Sequence, residues 1–312
     1  MTQVPTADEF DAEVIASFGR HLLVRDAGGL QRRARPSGRK LGIVCGDRVR
    51  CEVDRTHDEI LAVEVLPRRT VLARANLRGA SEAVVANITQ LIVVVAPVPQ
   101  PDYFMVDRYL CAATSAGLRG AIAVNKADLV SDAMDSVELS AYSHAGYAHV
   151  ACSAKSGAGI VTLEELLARG ISVLVGQSGV GKSSLVNALL PDEVVQTGGL
   201  VREEEGRHTT TASRAYVLKC GGTLIDSPGV RDFAPAIDQL DARSLGFPEA
   251  DRLAGGCRFQ DCRHMQEPDC ALIDAVESGT VSARRYESYR RLRRLHADLV
   301  EARGPGSRNR RS

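Results

Sequence analysis

Gly176-Gln-Ser-Gly-Val-Gly-Lys-Ser183 is the stretch of sequence that decides the fold. It matches the pattern G-x-x-x-x-G-K-[ST] and stands between a β-branched run at 171–175 and an apolar helical segment at 184–190. A strand, a glycine-rich loop and a helix in that order predict a P-loop, whose backbone N–H groups and helix N-terminus hold phosphate. We expect Lys182 to reach the β- and γ-phosphate oxygens and Ser183 to bind Mg²⁺. A glycine-rich turn that binds nothing is the alternative.

Two short apolar runs at 91–96 and 121–124 are of the buried parallel-strand type, and the second ends at a further motif, Asn125-Lys-Ala-Asp128. The Asp128 carboxylate can accept hydrogen bonds from N1–H and the 2-amino group of guanine, whereas adenine would place an acceptor against it. GTP is therefore favoured over ATP, because an unmatched buried carboxylate is costly. Asn125 would steady the neighbouring loop, and the stem of Lys126 would lie along the base. Cys152-Ser-Ala-Lys155 resembles the GTPase segment whose backbone N–H contacts guanine O6.

The order of these motifs is the reverse of that in an ordinary GTPase, where the phosphate loop comes first. The chain therefore resembles a circularly permuted GTPase. Downstream, Thr223-Leu-Ile-Asp226-Ser-Pro-Gly229 predicts a strand and a turn of the D-x-x-G type. Asp226 would hold Mg²⁺ through water, and the Gly229 amide would sense the γ-phosphate and fix the second switch.

The stretch Gly206-Arg-His-Thr-Thr-Thr211 is predicted to be the first switch, with Thr210 as the Mg²⁺ contact and Thr209 as the close alternative. The D-x-x-G glycine is followed by Val230, where many GTPases place a glutamine that orients water. His208 is a candidate to position the attacking water, since its unperturbed pKa lies near neutrality. A surface histidine without a catalytic part is the alternative. We expect slow intrinsic turnover that rises when a partner orders the switches.

The C-terminal third carries Cys257-x4-Cys262-x-His264-x5-Cys270. Three thiolates and one imidazole at this spacing predict a closed tetrahedral Zn²⁺ site of structural type. The remaining cysteines occur in apolar or strand-like settings and are interpreted as small core residues: Cys45, Cys51, Cys111, Cys152 and Cys220. Free thiols without a secretory signal indicate a reducing compartment, and a cytoplasmic location is expected.

Residues 20–50 hold nine Lys or Arg against two acids. Short strand candidates separated by turn signals predict a small barrel of the OB type: 21–25, 40–44, 48–53 and 60–66. The basic balance favours a surface that faces RNA or DNA, and a structural β-domain with a solvated basic rim is the alternative. Residues 1–15 are interpreted as an acidic leader.

A helix is predicted over 282–302, with tyrosines and leucines along one side. Its other faces carry a dense set of arginines, which favours binding to a phosphate backbone: Arg284, Arg285, Arg290, Arg291, Arg293 and Arg294. The segment 304–307 is predicted to be a flexible breaker before a basic tail. Lys and Arg balance Asp and Glu over the 312 residues, so the basic ends must be offset elsewhere. No stretch approaches the length that spans a bilayer, and a monomer is expected.

These features together resemble the RsgA (YjeQ) family of bacterial GTPases that depend on the small ribosomal subunit. The resemblance rests on the permuted motif order, the zinc spacing and four further stretches: 65–70, 87–91, 207–211 and 226–230. It implies a multidomain α/β protein with an N-terminal OB-type β-barrel (1–80), a central circularly permuted P-loop GTPase domain (81–240) and a C-terminal zinc-binding helical domain (241–312). The chain departs from the family pattern in the strand after 18–20.

The function that the resemblance implies is that of a late assembly factor. Such a factor binds the 30S subunit and its 16S rRNA, checks or completes the decoding region, and leaves after GTP hydrolysis. A nucleotide-sensing rRNA-binding module, in which hydrolysis is incidental, is the alternative. A metabolic kinase is disfavoured by the guanine motifs.

The candidate site residues fall into three groups. The catalytic candidates are His208, Thr210 and Lys182. Those expected to bind GTP or GDP and Mg²⁺ are Asn125, Lys126, Asp128, Ser153, Ala154, Lys155, Gly176, Gln177, Ser178, Gly179, Val180, Gly181, Lys182, Ser183, Ser184, Asp226 and Gly229. Those expected to hold one structural Zn²⁺ are Cys257, Cys262, His264 and Cys270.

Overall fold

The computed structural model describes most of the chain, in the ranges 9–38, 41–75, 81–129, 137–168, 170–190, 212–231 and 240–303, with residues 235 and 237. The strands are β1 Glu9–Ser17, β2 Leu22–Asp26, β3 Gln31–Pro36, β4 Arg48–Asp54, β5 Glu59–Val65, β6 Val71–Ala75, β7 Ser81–Ala86, β8 Gln90–Val95, β9 Arg119–Val124, β10 Ala148–Ala151, β11 Ile171–Val175, β12 Ser213–Val217 and β13 Thr223–Asp226. The α-helices are α1 Tyr103–Ser115, α2 Val137–Ala145, α3 Ile160–Leu167, α4 Lys182–Leu189, α5 Pro228–Arg231, α6 Pro248–Leu253, α7 Ala271–Glu277 and α8 Ala283–Arg303. None of these described helices is long and apolar enough to cross a membrane.

The N-terminal strands close into a five-stranded barrel. The order is β1-β2-β3-β5-β4, and β4 pairs back onto β1, so the sheet has no open edge within the barrel. Alternate residues point inward, among them Val14, Val24, Val49 and Ala62, which are all fully buried. The predicted OB-type barrel is confirmed, because small apolar residues at every second position fill its narrow interior.

Two details of the barrel differ from the prediction. The segment 1–15, interpreted as an acidic leader, holds most of β1, in which the acids Glu9, Asp11 and Glu13 alternate with residues such as Ala12 and Val14, which are buried. The strand predicted at 40–44 is wrong, since the described residues 41–44 form no strand and the Val44 amide donates to the Asp47 carboxylate in a turn. The third strand is instead Gln31–Pro36, which hydrophobic periodicity missed because Ala34 is its one buried residue.

The central sheet is parallel over the order β10-β9-β8-β11-β13, and the strands predicted at 91–96, 121–124, 171–175 and 223–226 are confirmed within a residue or two. Every residue of β8 is buried, as expected for a strand covered on both faces. One apolar cluster lies on each face of the sheet. The antiparallel strand β12 joins β13 to β1, so the barrel and the central sheet form one continuous sheet.

Helix α8 lies against α1 and α6 through a buried ion network. Arg285 is 1% exposed and donates from Nη1 to Asp107 Oδ1 at 2.7 Å. Its Nε and Nη2 donate to the two carboxylate oxygens of Glu249 at 2.5 and 2.9 Å. Arg284 also binds Asp107, together with Glu138 of α2. This network joins four helices, α1, α2, α6 and α8, with the buried Asp107 carboxylate shared by both arginines.

The expectation that the arginines of this helix all face a nucleic acid is therefore wrong for three of them. Arg284 and Arg285 are held by acids inside the protein. Arg293 is buried and donates to the carbonyl oxygens of Ala242 and Arg243 at 2.6 and 2.5 Å. The sequence pattern predicts that charged residues on an amphipathic helix are exposed. Only the positions of the acidic partners in the fold show that Arg284 and Arg285 are buried or half-buried.

We expect Arg285→Ala to destabilise the protein by about 3–5 kcal/mol, because it leaves the Asp107 and Glu249 carboxylates buried without their partner. Urea unfolding followed by far-ultraviolet circular dichroism measures this loss in the transition that melts the C-terminal helices. Arg294→Ala removes an exposed arginine from the same helix and is expected to change stability by less than about 0.5 kcal/mol. Equal stability of the two variants would contradict the role given to Arg285.

Candidate nucleotide site and metal centre

The parallel strands bring the sequence motifs to one edge of the sheet. Strands β9, β10, β11 and β13 run in the same direction, and each predicted motif follows the carboxyl end of its strand. The crevice beyond the carboxyl ends of parallel strands is where α/β proteins bind ligands. Motifs that are far apart in the chain therefore meet here.

The loop after β11 needs glycine for steric reasons. Gly176 and Gly181 have φ angles of 139° and 92°, which side-chain-bearing residues rarely adopt. A Cβ atom on Gly176 would lie 2.2 Å from the Val94 carbonyl oxygen, and one on Gly181 would lie 2.3 Å from Asn125 Nδ2. Helix α4 begins at Lys182, directly after the loop. The loop is thus shaped as a phosphate cradle that ends at a helix N-terminus.

Lys182 is 8% exposed, and its ammonium group is held inside the loop. Nζ donates to the carbonyl oxygens of Gly176 and Gln177 at 2.7 and 2.8 Å. These two carbonyls fix the charge at the start of the loop. A positive charge fixed in this place is ready to stabilise negative charge on a phosphate.

Asn125 connects the phosphate loop to both base-reading segments. Its side chain is 1% exposed, and Nδ2 donates to the Val180 carbonyl at 2.9 Å. Its Oδ1 accepts from the Ala154 amide at 3.1 Å. The neighbouring Lys126 donates from Nζ to the Gly179 and Val98 carbonyls at 2.6 and 2.7 Å. These bonds hold the loops after β8, β9, β10 and β11 in one fixed arrangement.

Asp128 is oriented by a serine that the sequence had suggested as a base contact. The Ser153 hydroxyl, which is fully buried, donates to Asp128 Oδ1 at 2.6 Å. This hydrogen bond is the main cause that lowers the pKa of the Asp128 carboxyl. Asp128 is therefore ionised at neutral pH and can act as the double acceptor that guanine requires.

The second-switch turn follows β13. A Cβ atom on Gly229 would lie 2.9 Å from Val84 Cγ1, so the turn packs closely against β7. Val230 is 1% exposed and belongs to the apolar cluster that includes Val84. The residue at the position of the usual glutamine is thus an apolar part of the core and has no polar group with which to orient water. The Ser213 hydroxyl donates to Ser227 Oγ at 2.8 Å and joins β12 to this turn, a contact that no sequence signal predicted.

The proposed first switch lies outside the described residues. This applies to His208 and Thr210, to the alternative Thr209, and to the predicted breaker and tail after 303. Their roles remain predictions.

The four predicted metal ligands meet in a compact cluster. The ligand atoms of Cys257, Cys262, His264 and Cys270 all lie within 4.8 Å of one another. His264 Nδ1 is 3.5, 3.5 and 3.3 Å from the three sulfur atoms, and Cys257 Sγ is 3.9 Å from Cys270 Sγ. Ligands placed tetrahedrally around Zn²⁺ would have edges of about 3.8 Å between sulfurs and about 3.6 Å between sulfur and nitrogen. The sulfurs are too far apart for a disulfide.

Helix α8 supports this cluster from one side. The Tyr286 hydroxyl donates to the His264 carbonyl at 2.9 Å, and the Tyr289 hydroxyl donates to the Arg263 carbonyl at 2.8 Å. Glu267 accepts from the amides of Arg263, Met265 and Gln266 and fixes the turn that carries the histidine. Although burial raises the pKa of Glu267, these amide hydrogen bonds outweigh it and lower the pKa to about 2.

The fold and the site define a guanine-nucleotide-binding P-loop protein whose motifs are circularly permuted. A family model described as RsgA GTPase matches residues 65–235. The chain belongs to the RsgA GTPase family and is a GTP-hydrolysing enzyme. Membership in a GTPase family implies the use of GTP or GDP and of Mg²⁺.

Curated relatives match most of the chain. "Small ribosomal subunit biogenesis GTPase RsgA" of Azotobacter vinelandii is 40% identical over 288 residues, which cover 89% of this chain and 83% of that protein. The protein of the same name from Pseudomonas aeruginosa strain PAO1 is 41% identical over 291 residues, which cover 91% of this chain and 85% of that one.

Two solved structures are similar to this chain over most of its length. YjeQ from Thermotoga maritima is 29% identical with a TM-score of 0.73, covering 93% of this chain and 99% of that one. YloQ, described as a circularly permuted GTPase, has a TM-score of 0.69 at 23% identity, covers 96% of this chain and 99% of that one, and shows the shared fold.

We expect Asp128→Asn to lower the affinity for GTP at least about 100-fold, because the amide presents N–H groups to the donors of guanine. Xanthine carries a carbonyl at C2, so the variant should gain affinity for XTP. Ser153 can still donate to the remaining side-chain oxygen, which keeps the amide oriented. Titration with fluorescent nucleotides measures both affinities, and Asp251→Asn on the exposed side of α6 is the matched control. An unchanged ratio of GTP to XTP affinity would show that Asp128 does not read the base.

Proposed function

We propose that this chain is a GTPase of small ribosomal subunit biogenesis, which binds the 30S subunit and its 16S rRNA and leaves after it hydrolyses GTP. The observation that carries the proposal is the similarity over about nine-tenths of the chain to curated relatives that bear this function in their names. The geometry of the site supports the proposed binding of GTP, since Asn125 joins the phosphate loop to the segments that are predicted to recognise guanine. A monomer in the cytoplasm fits such an activity.

In the proposed reaction the protein supplies position and charge. The backbone N–H groups of residues 176–183 and the Lys182 ammonium would bind the β- and γ-phosphates and stabilise the charge that develops between them. Asp128 and the backbone at Ser153 to Lys155 would hold the base. With Val230 in the core, His208 is the proposed group that orients the attacking water.

The residues fit a Mg²⁺ ion. Strands β11 and β13 are hydrogen-bonded neighbours, with Val173 opposite Ile225, so the loops that follow them start side by side. Ser183 would bind the ion directly, Asp226 through water, and Thr210 from the first switch. The bound ion would neutralise charge on the β- and γ-phosphate oxygens.

We also propose a domain division at 1–80, 81–240 and 241–312. The barrel core, the two clusters on the central sheet and the C-terminal cluster support three separate cores. The hairpin β6–β7 spans the first boundary and links the barrel to the GTPase domain. The barrel and the C-terminal domain are the parts proposed to contact rRNA.

The C-terminal cluster is proposed to hold one structural Zn²⁺. The separations between its sulfur and nitrogen atoms support this, because they match the edges of a Zn²⁺ tetrahedron with no open position for a substrate. The ion would hold the loop at 257–270 in the shape that accepts the Tyr286 and Tyr289 hydroxyls of α8. Its part is structural, since the cluster lies on a different element from the nucleotide loops.

We expect one zinc per purified chain by native mass spectrometry, and loss of that zinc in Cys262→Ser. Because metal binding contributes directly to folding of such a loop, the variant should lose helical signal and melt at a lower temperature. Cys220→Ser changes a cysteine outside the cluster and should keep the ion. Zinc retained at full stoichiometry in Cys262→Ser would overturn the assignment.

Steady-state GTP hydrolysis with and without 30S subunits tests the proposed function. We expect slow turnover by the protein alone and an increase of at least about tenfold with 30S subunits, because a partner that orders the switches completes the site. Parallel reactions with 50S subunits and with ATP should show no such increase. Equal, slow turnover in all four reactions would disprove a subunit-stimulated GTPase.

A His208→Ala variant, measured for GTP turnover and for release from the 30S subunit, separates the proposal from its alternative. In that alternative the protein is a nucleotide-sensing rRNA-binding module in which hydrolysis is incidental. The burial of Val230 favours that alternative, because the usual water-orienting group is missing. If the protein is a GTPase stimulated by the subunit, we expect His208→Ala to bind GTP and 30S subunits normally, to lose stimulated turnover and to stay on the subunit. Release of this variant at the wild-type rate without hydrolysis would favour the module.

A further inference from the structure

Two arginines, Arg108 and Arg291, lie beside the buried network of α8. Arg108 on α1 is half-buried, and its Nη2 donates to the Pro235 carbonyl at 3.2 Å. Its Nε is buried and makes no hydrogen bond. Arg291 on α8 is exposed, and its guanidinium lies 3.9 Å from the centre of the Phe104 ring. Among the described residues, neither arginine takes part in an ion pair.

The two guanidinium groups are close neighbours. Phe104 and Arg108 stand four residues apart on α1 and so lie one above the other on the same helix face. Arg291 stacks on Phe104, which places its charge within about one helical turn of Arg108. Burial is the main cause that lowers the pKa of Arg108, and the charge of Arg291 lowers it further. The fold therefore holds two like charges together, and the nearby Asp102, whose charge raises the pKa of Arg108 again, forms no ion pair with either arginine among the described residues.

The arrangement is fixed in advance by the ion network described above. Asp107, the residue before Arg108, binds Arg284 and Arg285 and sets the position of α8 on α1. The Arg291 guanidinium carbon lies over the Phe104 ring at 3.9 Å while the side chain is exposed, so its N–H groups remain available at the surface. Little side-chain freedom is lost when such preorganised donors take up an oxyanion.

We propose that Arg108 and Arg291 form a binding site for backbone phosphates of RNA, and that this site contacts rRNA when the protein is on the small subunit. The inference rests on the proposed function and adds a contact on the face between α1 and α8. Guanidinium groups match phosphate oxygens in a two-pronged geometry, and hydrogen bonds to a charged acceptor are the stronger ones. An extended polyanion suits this open helix surface, with Arg291 exposed upon it.

The salt dependence of binding tests the site. The protein is loaded with a non-hydrolysable GTP analogue, and its affinity for purified 30S subunits is measured at several salt concentrations. Two lost phosphate contacts should reduce the slope of log affinity against log salt by about 1.4–1.8 in Arg108→Gln/Arg291→Gln. The affinity near physiological salt should fall at least about tenfold. Basal GTP hydrolysis and melting temperature should stay within error of wild type.

Two further variants control for charge and for chemistry. Arg119→Gln/Arg252→Gln removes the same net charge from exposed positions on β9 and α6, and it should leave the slope unchanged. Arg108→Lys/Arg291→Lys keeps both charges and should keep most of the slope, while it loses part of the affinity because lysine cannot bind in two prongs.

The outcomes are distinct. A Gln variant with wild-type affinity and slope would overturn the site while leaving the proposed function intact. Lower affinity with an unchanged slope would also overturn it, because the contact would then not involve phosphate. If the wild-type chain fails to bind 30S subunits at any salt concentration, the proposed function fails, and the site fails with it.

Discussion

The hydrogen bonding of five parallel strands is the constraint on which the rest of the molecule depends. It places the carboxyl ends of β9, β10, β11 and β13 at one edge, where the guanine-reading, phosphate-binding and switch motifs meet. This arrangement does not require the strands to follow one another along the chain in any particular order, because strands that are far apart in the chain can be neighbours in the sheet. The permuted order therefore leaves the site intact and changes only what is attached to each end. Asn125 then joins the loops into one unit through its bonds to Val180 and Ala154.

The permutation also explains how the outer domains are attached. The chain enters β12 directly after the proposed first switch, and β12 pairs with β13 on one side and with the barrel strand β1 on the other, with Ser17 opposite Ser213. The C-terminal domain follows the second switch and is held on α1 by the buried Arg285. Both outer domains are thus connected directly to segments that are proposed as switches. This connection suits the proposed release from a partner after GTP hydrolysis.

Much of the fold could be predicted because most elements carry a strong local signal. The apolar runs of β8, β9 and β11 and the long helix α8 were predicted within a residue or two. The failures came where the local signal is weak. In β1 the acids drew attention away from an alternation of small buried residues, and β3 has one inward apolar side chain. Arginines on α8 were interpreted as surface groups, since no sequence pattern shows that Asp107 and Glu249 lie opposite Arg285.

By itself the sequence determined the chemical groups from which the site is built: a glycine-rich loop of the P-loop pattern, a carboxylate predicted to select guanine, four predicted metal ligands and a valine in place of the usual glutamine. Each of these features is defined by residue types at short separations along the chain, so it can be recognised without knowledge of the fold. Only the tertiary structure decided that Ser153 orients Asp128, that Val230 lies in the core, and that Arg284, Arg285 and Arg293 stabilise the fold, while Arg108 and Arg291 form no ion pair with any described residue. These are relations between residues far apart in the chain, and they exist only once burial has selected which polar groups find partners.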